Sequence, residues 1–71
     1  SMARNEQLVR QHAILQLLEA SRYGLRLEEL RDELVERLGL GKLSDRTVRR
    51  DLEALQFAGC DVDVHDSERG S

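Results

Sequence analysis

Three arginines stand within five positions near the middle of the 71-residue chain: Arg46, Arg49 and Arg50. A guanidinium group is permanently charged, and its planar fork of donors fits phosphates and the edges of bases. The alternative is a solvated helix face with exposed ion pairs, each worth only ~0–1 kcal/mol. The position of the arginines, just behind a helix start and backed by apolar residues, favours contact with nucleic acid.

The arginines belong to a segment whose helical periodicity runs from Asp45 to Ala58. At 100° per residue, apolar side chains fall on the opposite side of this helix: Val48, Leu52 and Leu55. Ser44 has the type and place of an N-cap, because its hydroxyl can accept a hydrogen bond from a free N–H of the first turn. The segment is therefore a candidate recognition helix, with a cationic end that can enter a major groove.

Two further helices are predicted ahead of this one, over residues 5–21 and from Glu28 to Leu38. The segment 39–43 then forms the turn of a helix-turn-helix, with one of its glycines suited to a left-handed C-cap. After the candidate recognition helix, three residues alternate with aspartates and predict a half-buried strand: Cys60, Val62 and Val64.

The pattern Ser-x-Arg-Thr-Val-Arg-Arg-Asp-Leu-x-x-Leu over residues 44–55, followed by Gly59 and the Val62/Val64 alternation, resembles a known family. It is similar to the recognition helix and wing of DeoR-like winged helix-turn-helix domains. Among these, the chain most resembles the DNA-binding domains of bacterial regulators that carry a C-terminal WYL domain. The similarity extends over roughly residues 5–64 and is specific around 44–55. The second helix and its turn are longer than is usual in that family.

The resemblance implies a mainly α fold with a small β wing, a three-helix winged helix-turn-helix domain over residues 3–64. It implies a sequence-specific duplex-DNA-binding domain of a bacterial transcriptional regulator, expected to be a repressor, with its recognition helix at 45–58. It also implies that a C-terminal ligand-sensing domain is missing from this chain. Residues 1–2 are interpreted as an expression scar, and 65–71 as a wing loop or the flexible C-terminal end of a truncated protein.

The expected DNA contacts lie in this helix and just before it: Lys42, Ser44, Asp45, Arg46, Thr47, Arg49 and Arg50. By resemblance, Arg46 and Thr47 sit at the groove, and Arg49 or Arg50 reaches bases or phosphates. Ser44 serves as a cap, as a phosphate contact, or as both. Asp51 projects towards the core, where it is expected to hold an arginine or a helix end.

The first helix carries two apolar stripes on nearly opposite sides. One stripe consists of Leu8, His12, Leu15 and Leu18, and the other of Val9, Ala13, Leu17 and Ala20. A surface helix of a monomer needs only one such face. The second stripe therefore predicts a further neighbour, either the partner of a homodimer or the rest of the protein, with Val9, Ala13 and Leu17 as candidate dimer contacts. His12 is expected to be packed inside its stripe.

The net charge of −3 argues at first against a nucleic-acid partner. The charge is unevenly distributed, however: residues 42–50 carry a net +3, whereas 27–41 and 61–71 each carry −3. Because salt screens charges beyond ~8 Å, the arginines can dominate at their own face. The acidic remainder supports the alternative hypothesis, a winged-helix module for protein–protein interaction.

Other classes of function receive little support from the sequence. No nucleophile has a base and an orienting group at a recognisable spacing, and no glycine-rich phosphate loop occurs, so an enzyme is not expected. The single cysteine, Cys60, excludes an internal disulfide, and neither a metal site nor a cofactor is predicted. No stretch resembles a membrane span or a signal peptide, so a cytoplasmic location is expected.

Overall fold

A computed structural model describes residues 2–64, most of which lie in three helices. Met2–Ala20 forms α1, Leu27–Leu38 forms α2 and Asp45–Phe57 forms α3. Each helix packs against both of the others. The predicted mainly α, three-helix architecture is confirmed, whereas the predicted wing loop at 65–71 lies outside the described residues.

Four helix ends differ from the prediction, and one of them is the end of α1, which lies at Ala20 rather than at residue 21. α1 begins at Met2 rather than Asn5, since the residues before Asn5 contain neither proline nor glycine and simply extend the helix. α2 begins at Leu27 rather than Glu28, because the Glu29 carboxylate accepts a hydrogen bond from the backbone N–H of Arg26 at 2.9 Å. α3 ends at Phe57, one residue earlier than predicted.

One apolar core lies between the helices. Its buried members come from all three helices and from the segment after α3: Ala13, Ile14, Leu27, Leu30, Leu34, Val48, Leu55 and Val62. On α2 the buried leucines follow the i, i+3, i+7 spacing of a single helix face that is turned towards the core. Because the core is aliphatic throughout, its contribution to stability depends on burial and close packing.

The buried face of α1 lies between the two predicted stripes. Ala13 and Ile14 are at its centre, and the half-buried Arg10 and Leu17 extend it at helical spacing. His12 is exposed, so the prediction that it is packed is wrong.

The burial of this face in the core determines which of the candidate dimer contacts are accessible. Ala13 is only 4% exposed and Leu17 packs against the core, because the chain itself uses this side of α1. The prediction that these two residues lie on a second, free face is therefore wrong. Val9 is 49% exposed and remains accessible.

The turn between α2 and α3 is shaped by Gly39. Its φ of 65° is left-handed, and the backbone N–H of Leu40 donates to the carbonyl of Val35 at 3.0 Å. Glycine adopts this conformation without the penalty that a Cβ atom imposes. The turn ends α2 and leads the chain through residues 40–43 to the start of α3.

The predicted small β wing is not present in the part of the chain that the structure describes. Arg26 lies in an isolated β-bridge, and residues 60–64 contain no strand. The alternation predicted burial correctly, since Val62 is buried while Asp61 and Asp63 are exposed. A strand also needs a partner for its backbone, and the carbonyl of Val62 instead accepts a hydrogen bond from Nε2 of Gln56 at 3.1 Å.

Candidate nucleic-acid interface

The predicted N-cap of α3 is confirmed. The Ser44 backbone is extended, and its Oγ accepts a hydrogen bond from the backbone N–H of Thr47 at 3.2 Å. Oγ of Ser44 also lies 3.1 Å from Oγ1 of Thr47. This arrangement satisfies one of the free N–H groups of the first turn and fixes the entry of the chain into α3.

The outward face of α3 carries Arg46 and Arg50. These positions are about 40° apart around the helix axis, and both side chains are exposed. The opposite side is buried through Val48 and Leu55. The core therefore fixes which side of α3 points outward, and that side presents two guanidinium groups to solvent.

The other predicted DNA contacts surround this pair. Lys42 is exposed in the turn that leads to α3. Thr47 is half-buried and engaged at the cap, and Arg49 is half-buried at the edge of the outward face. The structure thus brings the predicted residues together around the first two turns of α3, and of the predicted residues within the helix Arg46 and Arg50 are the exposed ones.

Asp45 is paired with a residue of α2. Nη1 of Arg31 donates to Oδ1 of Asp45 at 2.7 Å, and Nη2 of Arg31 lies 3.1 Å from Oδ1 of Asp32. The pKa of Arg31 is raised, mainly by the hydrogen bond to Asp32; desolvation opposes the rise, and the charges of Asp45 and Asp32 add to it. The carboxylate at the start of α3 is therefore compensated by a cation.

Asp51 lies on the inner side of α3 and is 1% exposed. Nε of Arg10 donates to its Oδ2 at 2.5 Å, and Nη2 of Arg10 donates to its Oδ1 at 3.1 Å. Nε2 of Gln11 donates to the same Oδ1 at 3.2 Å. The hydrogen bond to Asp51 is the main cause of the raised pKa of Arg10, and desolvation opposes it. The expectation that Asp51 holds an arginine is confirmed.

Sequence reasoning did not identify the α1 and α2 residues that hold α3. Arg31 stands in a largely acidic helix, and Arg10 and Gln11 stand between apolar positions, so none of them has a distinctive local pattern. One signal was available: an aspartate at the core-facing position 51 requires a partner. That signal predicts an interaction but cannot select the partner among the eleven basic residues of the chain.

Other kinds of site have less support in the described residues. Residues 2–64 contain no group of three or more histidine, cysteine or acidic side chains placed to hold a metal ion. Cys60 is a half-buried free thiol packed against the core. None of the described helices combines the length and the apolar character that crossing a bilayer requires.

Comparison with known proteins identifies one relationship. The model of the DeoR-like helix-turn-helix domain matches residues 10–65, which include all of α2 and α3 and most of α1. A search of curated proteins finds no match, and neither does a search of solved structures. The matched region covers more than half of the chain and contains the capped helix with its outward arginines. The chain therefore belongs to the DeoR-like helix-turn-helix domain family.

Proposed function

We propose that this domain binds duplex DNA in a sequence-specific manner by inserting the first turns of α3 into the major groove. The observation that carries the proposal is the outward pair of Arg46 and Arg50 on a capped helix whose opposite side forms the core. Membership of the helix-turn-helix family supports a role as the DNA-binding part of a transcription regulator. The proposed regulator is bacterial and acts as a repressor.

The chemistry of the side chains suggests a division of roles. Lys42, Arg49 and the N–H groups of the first turn contact phosphates, which supply most of the affinity and its dependence on salt. Arg46 and Arg50 reach base edges, where a guanidinium can donate two hydrogen bonds to O6 and N7 of guanine. Thr47 stays close to the cap and offers its methyl group or hydroxyl at the edge of the groove.

The ion pair of Asp45 weakens the argument that the negative net charge of the chain makes DNA binding unfavourable. An uncompensated carboxylate at the first residue of α3 would repel phosphates, but here Arg31 lies 2.7 Å away. The net charge of −3 belongs to the chain as a whole, whereas the range of the potential is limited to ~8 Å at physiological salt. The local balance at α3 therefore remains favourable for an anionic partner.

We further propose that the regulator acts as a homodimer and carries a C-terminal ligand-sensing domain of the WYL type. The second part rests on the resemblance over residues 44–55. For the dimer, the accessible candidate is Val9, which lines an open apolar groove of about 160 Å³ together with Leu38 and Leu40. A two-fold dimer would place two copies of α3 on successive half-sites of one operator.

The decisive experiment is a salt series of binding to random duplex DNA. The Arg46→Ala/Arg50→Ala variant is compared with wild type and with Arg22→Ala/Arg37→Ala, which removes the same charge from exposed positions outside α3. Each α3 arginine should account for ~1–3 kcal/mol of binding. We expect the α3 variant to lose affinity at every salt concentration, with a salt dependence close to that of wild type, while the control variant stays close to wild type in both.

A protein-binding module is the alternative function. Phe57 is 96% exposed on the same side of α3 as Arg46 and Arg50, and an exposed aromatic ring is common at protein interfaces.

If the wild-type domain bound no DNA even at low salt, and the full-length regulator also bound none, the DNA-binding proposal would be wrong. An equal loss in both double variants would show that only overall charge matters.

A further inference from the structure

Asp51 joins α1 to α3 through a cluster in which the carboxylate is fully buried and its two donor side chains, Arg10 and Gln11, are half-buried. It is the one charged side chain among the described residues that is fully buried. It accepts two hydrogen bonds from Arg10 and one from Gln11, so three donors from consecutive positions of α1 converge on one carboxylate. The cluster spans some 40 residues of sequence, which makes it a tertiary tether rather than a local feature.

Stability alone does not explain such a cluster. Removing two charges from water costs about as much as their attraction returns, and well-packed apolar pairs at such positions are often as stable or more stable. What the ion pair adds is direction, because the planar fork of arginine fits a carboxylate in one orientation. The apolar contacts of α3, made by side chains such as Val48 and Leu55, are by contrast non-directional.

A second contact between helices holds the first residue of α3. Arg31 of α2 holds Asp45, six residues before Asp51. Six residues correspond to about 9 Å along the helix and about 120° around its axis. Two directional contacts at different heights and on different sides restrict both the roll and the tilt of α3, and the outward arginines at 46 and 50 stand between them.

We propose that the cluster of Arg10, Gln11 and Asp51 is a positioning device that sets the orientation in which α3 presents Arg46 and Arg50 to DNA. The inference rests on the proposed DNA-binding function and assigns Arg10 a role without contact to DNA. Base readout by arginine needs donors placed to within a fraction of an ångström. A small roll of α3 would therefore lower affinity even when the domain remains folded.

The test replaces the charged pair with apolar side chains, as Arg10→Met/Asp51→Leu. This exchange leaves the net charge unchanged, so a loss of DNA binding cannot be attributed to charge. A matched control, Glu33→Gln/Arg37→Gln, removes one charge of each sign from exposed positions of α2. Thermal unfolding, binding to a duplex that the wild-type domain has selected from a random pool, and the orientation of α3 are measured for each variant.

The orientation of α3 is measured without DNA, by the distance distribution between two spin labels. The labels are attached through Glu19→Cys on α1 and Glu53→Cys on α3, both at exposed positions, in a Cys60→Ala background. We expect the apolar pair to keep the melting temperature of wild type or raise it, to shift or broaden the distance distribution, and to lower DNA affinity roughly tenfold, the value of one lost bidentate contact.

An unchanged distance distribution together with unchanged DNA affinity would overturn the proposal. If the variant with the apolar pair fails to fold, Arg10→Lys is measured instead, because lysine retains the charge but lacks the planar guanidinium group. A sharp, unshifted distribution of spin-label distances together with full DNA affinity in this variant would contradict the inference. If neither the wild-type domain nor the full-length regulator binds DNA, the proposed function fails, while the spin-label distances still show whether the cluster orients α3.

Discussion

Arg31 on α2 and Asp45 at the start of α3 are joined by a hydrogen-bonded ion pair, with Nη1 of Arg31 2.7 Å from Oδ1 of Asp45. The pair places a cation of the acidic second helix beside the candidate recognition helix. It also sets the rotamer of a carboxylate that would otherwise project freely near the proposed DNA surface. The turn through Gly39 makes this contact possible by bringing α3 back against α2.

The first prediction concerns Arg31→Gln. The change leaves the Asp45 carboxylate uncompensated, so affinity for random duplex DNA should fall most at low salt, where repulsion by a single negative charge is least screened. The melting temperature should change little, since this pair is partly exposed to solvent. Fluorescence anisotropy titrations at several salt concentrations provide the measurement, with Arg37→Gln as the control. Equal affinity of the two variants would show that the Asp45 charge is irrelevant to binding.

The second prediction concerns the N-cap. Ser44→Ala removes the acceptor for the Thr47 N–H and should lower the free energy of unfolding by ~1 kcal/mol, as measured by urea denaturation. Ser44→Asn should largely restore stability, because the asparagine side chain can accept the same hydrogen bond. Gln7→Ala, at an exposed position of α1, controls for a general effect of an alanine substitution. Full stability of Ser44→Ala would mean that the cap contributes nothing.

The third prediction compares two glycines of the same turn. A Cβ atom at either Gly39 or Gly41 would meet no atom within 4 Å, but only Gly39 has a positive φ. Gly39→Ala should therefore destabilise the domain by ~1–2 kcal/mol through its backbone conformation alone. Gly41→Ala should be neutral or stabilise slightly, because it restricts the unfolded chain. Similar urea midpoints for both variants would contradict this account.

The fourth prediction concerns the core. Leu34 is fully buried on α2, so Leu34→Ala should cost ~2–5 kcal/mol of unfolding free energy. Leu52 is only half-buried at the edge of the core, and Leu52→Ala should cost clearly less. A domain of this size has only ~4–10 kcal/mol of stability, so the Leu34 variant is measured at low temperature to keep it folded. A larger cost at Leu52 would mean that α3 is rotated relative to this structure.

Local patterns in the sequence determined the elements of the fold. Periodicity alone predicted three helices, Ser44 predicted the start of α3, and the spacing of the arginines predicted their outward face, because each of these depends on residues within one or two turns. The alternation at 60–64 predicted which side chains are buried. It also predicted a strand, which residues 60–64 do not form, since a strand depends on a partner elsewhere in the chain as well as on its own pattern.

Only the tertiary structure decided how the helices meet. α1 has apolar residues on more than one side, so its buried face at Ala13 and Ile14 follows from where α2 and α3 lie rather than from its own pattern. The partners of Asp45 and Asp51 were likewise undetermined, because many arginines in the chain could neutralise a carboxylate. Packing selected Arg31 and Arg10: ion pairs require atoms within a few ångströms, and only the folded chain brings residues so distant in sequence that close together.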